Sequence, residues 1–317
     1  MISRRKFLKT QAAGLALPLA LSASAAKASD EEGLPSSAGS ADPLPGQPKI
    51  FDVHNHYNGD PAYADRLAAL LESMDGMAFL LVPPADLKSA KSAMARHPDR
   101  LMGLCELSLD DPQAVALVDQ FHDAGFRGIG ELSGSRKNYD DPSYWPIYDR
   151  AQEHGMIALF HTGIVAHPRP EVPTDVSVSR LRITRLDLIS RLFPRLNVIG
   201  AHCGNPDYHW AGETGRWNPN ELFDLSGSSL LKKKDDPTFF KSVFWWTGLV
   251  SPHTPKSSAS AFEKLVFGSD CFGGDLGELE AGPGRYRRML DACGVPAEAQ
   301  ANIFSGTIWR ILQKQKA

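Results

Sequence analysis

The chain has 317 residues, 42% hydrophobic and 22% charged, and its 34 basic and 37 acidic side chains give a formal net charge of −3. That balance suits a globular enzyme with a sizeable core and disfavours nucleic acid or an anionic membrane surface as partner. Four widely spaced cysteines, Cys105, Cys203, Cys271 and Cys293, contain no CxxC pair, which argues against a cysteine framework and leaves a single disulfide open.

The first element is "SRRKFLKT" followed by the weakly apolar "QAAGLALPLALSASAAKA". The apolar stretch is about 16 residues long, short of the ~20 that span a bilayer. Small residues ending at Ala28, with Ala25 as a second option, offer cleavage sites, so residues 1–28 read as an export signal. Arg4 and Arg5, followed by Lys6, Phe7, Leu8 and Lys9, resemble a bacterial twin-arginine signal. The resemblance implies the twin-arginine translocase as a transient partner, export of the folded protein to the periplasm or beyond, and no stable membrane anchor. Cleavage would leave 29 basic against 37 acidic residues, a net charge of −8. Residues 29–48, rich in Ser, Gly, Pro and acids, predict a flexible linker.

Over residues 49–317, apolar strand-length runs alternate with helical patterns. The runs are "KIFDVHNH" (49–56), "GMAFLLVPP" (76–84), "RLMGLCELSL" (100–109), "FRGIGELS" (126–133), "MIALFHTG" (156–163), "LNVIGAHCG" (196–204), "ELFDLSGS" (221–228) and "KLVFGSDC" (264–271). Helices are expected over 62–74, 85–97, 111–124, 143–154 and 177–192, with "GRYRRMLDACG" and "PAEAQANIFSGTIWRILQK" as the closing ones. Eight strands alternating with helices predict a (β/α)8 TIM barrel, whose usual length is ~250 residues. An open doubly wound sheet would require a Gly-rich phosphate loop after its first strand, and "HNHYNGDPAYAD" is not one.

In such a barrel the chemistry gathers at the C-terminal ends of the strands. Those ends carry His54 and His56 (strand one), Glu131 (four), His161 (five), His202 (six) and Asp270 (eight). Residues i and i+2 of a strand share a face, so His54 and His56 would aim at one point, where a shared metal ion is the natural occupant. The ordered set HxH, Glu, His, His, Asp resembles the amidohydrolase superfamily. "DVHNH", "FHTG", "GAHCG", "VFGSDCFGG" and "IFSGTIWRIL" are most similar to the amidohydrolase-related group that includes aminocarboxymuconate-semialdehyde decarboxylase.

The resemblance implies that His54, His56 and His161 bind one divalent ion, zinc by default with manganese or iron as alternatives. A second ion held by His161, His202 and Glu131 is conceivable; with a single ion, His202 would instead polarise a substrate carbonyl. Asp270 would touch the metal-activated water and serve as general base. Read from its neighbours alone, Glu131 is either a ligand or an ion-pair partner of Arg136 or Lys137. Asp52 shares the parity of the histidine pair and either orients a ligand or ties the barrel together.

His97, His122 and His154 fall on helices and are expected at the surface. Tyr57, Arg136, His167, Arg169 and Trp217, with His209, Trp210 and Arg216 nearby, lie on loops at the chemical end and would contact a small-molecule substrate. Cys203 and Cys271 are expected to pack away from the site. The leading expectation is a metal-dependent hydrolase that cleaves a C–N or C–O bond of a small polar molecule, an amide, lactone or ester. The alternatives are non-oxidative decarboxylation of an aromatic or enol acid and, in another class, a periplasmic metal-binding barrel without catalysis. Substrate, metal count and oligomeric state are not legible in the sequence.

Overall fold

The computed structural model describes residues 44–165, 177–247 and 260–315. The expected export signal, the linker up to residue 43, His167 and Arg169 lie outside the described residues. Eight parallel strands pair in chain order within one sheet. They are β1 (Ile50–His56), β2 (Gly76–Val82), β3 (Leu101–Cys105), β4 (Gly128–Leu132), β5 (Ile157–Phe160), β6 (Asn197–Gly200), β7 (Glu221–Asp224) and β8 (Leu265–Val266). Between them run α1 (Pro61–Ser73), α2 (Leu87–Arg96), α3 (Ala114–Asp123), α4 (Trp145–Glu153), α5 (Thr184–Leu192), α6 (His209–Trp217), α7 (Ser228–Leu231) and α8 (Pro237–Val243). After β8 come α9 (Gly277–Cys293), α10 (Ala297–Ala301) and α11 (Thr307–Gln315). The seam between β8 and β1 is closed by backbone bonds from Val53 to Phe267, Asp270 to His54 and His56 to Cys271, all between 2.8 and 3.0 Å. This is the (β/α)8 barrel that the alternation predicts.

Local chemistry explains the elements. Asp60 caps α1 by accepting from the Ala62 amide at 2.9 Å, and Pro61 occupies a first-turn position that needs no N–H. Tyr63, Ala64, Leu67, Ala68 and Leu71 then recur at helical spacing on its buried face. Every residue of β2 is buried, as a parallel strand covered on both faces requires. Inside the barrel, Phe51, Val53, Phe79, Leu159 and Ile199 form one cluster with Ile308, Trp309, Ile311 and Leu312 of α11. The Trp309 indole donates to Pro45 O, and the Gln315 amide donates to the carbonyls of Arg127 and Gly155, just ahead of β4 and β5. Helix α11 therefore plugs the end from which the strands start, and the polar side chains collect at the other.

The strands are shorter than their apolar runs. Strand β6, expected to reach residue 204, ends at Gly200, because His202 (φ 58°) and Cys203 (φ 53°) turn left-handed. Only Leu265 and Val266 of the last run join the ladder. Helix α9 begins at Gly277 although Pro283 suggests a later start; the proline forfeits one backbone bond and lies with Leu279 and Gly282 on the buried side. Helix α5 starts at Thr184 rather than 177, and Asn302–Gly306 widens into a π-turn before α11. Among the described residues, no helix is long and apolar enough to cross a membrane.

Candidate metal centre

Two strands reach the site through an added residue. Asp52 and Asn55 of β1 pair with Ala78 and Leu80 of β2, so three steps on β1 match two on its neighbour. Val53 and His54 together oppose Phe79, and both face the barrel interior. Strand β4 does the same: Ile129 and Leu132 pair with Ala158 and Phe160, so Gly130 and Glu131 share the place opposite Leu159. Bulges of this kind re-aim a side chain, and here they deliver His54 and Glu131. Gly130 is required in the pair, since a Cβ there would lie 2.4 Å from Leu159 O. The β1 bulge also corrects the expected parity of Asp52, which lies before it and pairs with outward-facing Ala78. Fully buried, Asp52 accepts from the Ser269 hydroxyl (2.7 Å), the Ser269 amide (2.8 Å) and the His54 amide (3.1 Å). It ties β1 to the segment after β8 and does not touch a histidine ring.

Beyond the bulge alternation resumes, and the Nε2 atoms of His54 and His56 face each other at 3.3 Å. Asp270 Oδ1 lies 3.4 Å from both. Glu131 sits opposite, with an oxygen 3.7 Å from each of these Nε2 atoms, 2.9 Å from His161 Nδ1 and 3.4 Å from His202 Nε2. It does not pair with Arg136, which is exposed, or with Lys137, whose ammonium lies 3.5 Å from Asp141. Two triads, His54–His56–Asp270 and His54–Glu131–His202, each present three ligand atoms within 4.8 Å of one another. His161 belongs to neither triad; its Nδ1 meets Glu131, and its buried Nε2 has no hydrogen-bond partner. The strand ends are braced by Tyr139, whose hydroxyl lies 2.7 Å from Leu132 O and 2.9 Å from His161 O, and by Thr162, which bonds Ala201 O.

The electrostatics of the cluster favour a cation at its centre. Burial alone would push Glu131 up and the histidines down. Instead, the surrounding rings hold Glu131 well below the carboxylate range, and Glu131 and Asp224 draw His54 well above its ordinary value. Burial opposes His56 as well, yet Asp270 and Glu106 lift it to about 9. Ionised carboxylates, imidazoles drawn to positive charge, two facing Nε2 atoms and the orphaned nitrogen of His161 together fit a divalent metal ion.

Sequence reading missed Asp224 at the end of β7 and Glu106 just after β3. Asp224 is wholly buried and holds His54 Nδ1 at 2.8 Å, while Glu106 stands 3.8 Å from His56 Nδ1. Each is an acid at a strand end within a quoted run, which was the available signal. A cavity of about 450 Å³ opens onto the cluster, lined by Glu106, Ser133, Asn205, Tyr208, Leu230 and Phe272 besides the ligand residues. Of the loop residues expected to contact substrate, Tyr57 is buried in the core, and Arg136, Trp217 and His209 do not line this cavity; His167 and Arg169 lie outside the described residues. His97, His122 and His154 pair with Asp65, Asp123 and Asp119 on the helical exterior. All four cysteines are buried and free.

The family model described as amidohydrolase matches residues 51–313. No protein of curated description matches the chain. Among solved structures, an uncharacterised TIM-barrel protein from Bordetella bronchiseptica is 14% identical with a TM-score of 0.55, over 84% of this chain and 99% of its own. A probable 2-pyrone-4,6-dicarboxylic acid hydrolase from Acinetobacter baumannii, with citric acid bound, is 12% identical with a TM-score of 0.55, over 84% and 99%. A dihydroxybenzoic acid decarboxylase from a Polaromonas species, with manganese and the inhibitor 2-nitroresorcinol, is 13% identical with a TM-score of 0.55, over 85% and 98%. At these identities the likeness is one of fold.

Proposed function

The chain belongs to the amidohydrolase family, and from that membership we propose that it is a metal-dependent hydrolase of an amide, lactone or ester of a small polar molecule. The observation that carries the proposal is the placement of Asp270. Its side chain is 30% exposed and reaches both Nε2 atoms of the histidine pair; Glu106, at 28%, is as open but faces His56 Nδ1, and Glu131 and Asp224, at 8% and 0%, are more enclosed. Asp270 is thus the carboxylate of the cluster that can touch a metal and a substrate at once.

His54, His56, Glu131, His161, His202 and Asp270 are the residues that would hold the ion or ions, with zinc the best match to imidazole and carboxylate donors and manganese or iron as alternatives. When bound, the ion supplies Lewis-acid polarisation and makes water acidic enough to attack near neutral pH. Asp270 takes the proton of the attacking water and returns it to the leaving nitrogen or oxygen. His202 lines the cavity beside Glu131 and completes the ligand set. Export through the twin-arginine route, proposed on Arg4 and Arg5, would place the enzyme outside the cytoplasm.

Decarboxylation of an aromatic acid is the second reading. Phe272 supports it: the ring is 74% exposed at the cavity mouth and sits edge-on to His56 at 5.5 Å, where a planar ring could stack. Incubating the zinc-loaded protein with lactones and amides and with hydroxybenzoic acids separates the two. Hydrolysis is expected, lost by 10²-fold or more in Asp270→Asn, about the contribution of a general base, with zinc still bound. Carbon dioxide released without any hydrolytic product would overturn the hydrolase assignment.

A further inference from the structure

We propose that Asp224 and Ser226 are positioning residues that fix the tautomers of His54 and His202, so that both rings present an unprotonated Nε2 to the centre of the site. Asp224 Oδ1 accepts from the backbone amides of His202 (2.9 Å) and Ser226 (3.0 Å) and lies 2.6 Å from Ser226 Oγ. Its other oxygen lies 2.8 Å from His54 Nδ1. Ser226 Oγ in turn lies 2.9 Å from His202 Nδ1.

The proton count follows from these contacts. Asp224 is surrounded by donors and acts as acceptor only, so His54 must carry its proton on Nδ1. Ser226 has a single hydroxyl hydrogen, and the carboxylate oxygen, its closer and stronger acceptor, takes it. Ser226 Oγ is left as an acceptor, and His202 Nδ1 must then be the donor. The lone pair of each neutral ring therefore sits on Nε2, which in His202 faces Glu131 Oε1 at 3.4 Å. A lone pair directed at a carboxylate is repulsive unless a cation or proton lies between them. Neutral His202 is thereby a ligand or a proton acceptor, and it cannot polarise a carbonyl by donating from Nε2. Gly227 makes room for the arrangement, since a Cβ there would come within 2.9 Å of His202 Nδ1. The relay is built of hydrogen bonds alone and stands whichever reaction the site performs.

Two-bond proton–nitrogen spectra of ¹⁵N-histidine-labelled, zinc-loaded protein read the tautomers directly. His54 and His202 are each expected to carry a proton on Nδ1 and none on Nε2. In Asp224→Asn, the two backbone amides keep the side-chain oxygen at the Oδ1 position, so the new NH₂ faces His54 Nδ1 and drives the His54 proton to Nε2. Zinc affinity should then fall tenfold or more, as for other losses of a ligand-orienting partner. Ser226→Ala should release the His202 tautomer and leave that of His54 unchanged. A wild-type spectrum with a proton on Nε2 of either ring overturns the proposal even if both variants fail to fold, and so does a His54 pattern that is unchanged in Asp224→Asn. In the metal-free protein at alkaline pH the His54 proton should stay on Nδ1, held by the Asp224 carboxylate, whereas His202 has no cation to offset Glu131. Failure to bind zinc with the His54 tautomer intact would count against the metal proposal and leave the Asp224 contact standing.

Discussion

Replacing Asp52 tests whether the barrel seam and the metal cluster are one structural unit. Asp52→Ala removes the acceptor for two backbone amides, those of His54 and Ser269, in a fully buried place. The Ser269 hydroxyl is partly rescued, because His54 O already lies 3.2 Å from it. Each stranded amide costs ~1–3 kcal/mol, so the variant should lose roughly 2–6 kcal/mol, which at 2–4 °C per kcal/mol for a domain of this size lowers Tm by about 5–20 °C. Asp52→Asn keeps an acceptor oxygen and should lose less than half as much, which separates hydrogen bonding from charge. The melts are run on metal-free protein, since a bound ion would raise the Tm of whichever form binds it better. Because the seam carries His54 on one side and Asp270 on the other, zinc affinity measured by calorimetry should fall in parallel. Asp52→Ala melting within about 2 °C of wild type, with zinc affinity unchanged, would refute the reasoning.

Two further outcomes are expected. Glu221, wholly buried and bonded to Thr214 Oγ1 and Asn218 Nδ2 at 2.8 Å each, has its carboxyl pushed up by burial from 4.5 to about 7. The folded state keeps a proton that the unfolded chain releases, so stability falls as pH rises from 4.5 to about 7. Glu221→Gln removes that titration; relative to wild type it should gain roughly 2–3 kcal/mol between pH 4.5 and 8 in urea unfolding, and a constant difference would show that Glu221 titrates normally. Exchanging Arg4 and Arg5 together for lysine keeps the charge but should hold the protein uncleaved in the cytoplasm of a bacterial host; fractionation that still finds it exported would rule out the twin-arginine route.

The barrel was legible because its signal is repetitive: eight apolar runs separated by amphipathic segments admit few other arrangements. The identities of the candidate ligands were legible because each lies where a run ends. Residue pairing was less visible, since an added residue leaves the periodic pattern on either side intact. That is why Asp52 reads as sharing a face with His54, although the bulge between them puts it on the other. The same blindness hid Asp224, whose run "ELFD" looks like an ordinary strand until β6 and β7 are placed side by side. The residues that line the cavity were least legible. Tyr57 and Trp217 are near the ligands in sequence, but the loops carry them into the core and onto an outer helix, while Ser133, Asn205 and Leu230 line the cavity with no motif to announce them.

The two bulges have a consequence for anyone moving this chemistry to another scaffold. On an unbulged strand, a grafted Val53–His54 pair would splay to opposite faces, one side chain inward and one into the packing against the helices, and Glu131 would lose the offset that Gly130 gives it. Transplanting the site therefore means transplanting an insertion, and a one-codon deletion in β1 or β4 should be more damaging than most substitutions at the ligands themselves. Substitution scans sample residue identity and leave register alone, so they would record His54 and Glu131 as essential and pass over the spacing that aims them.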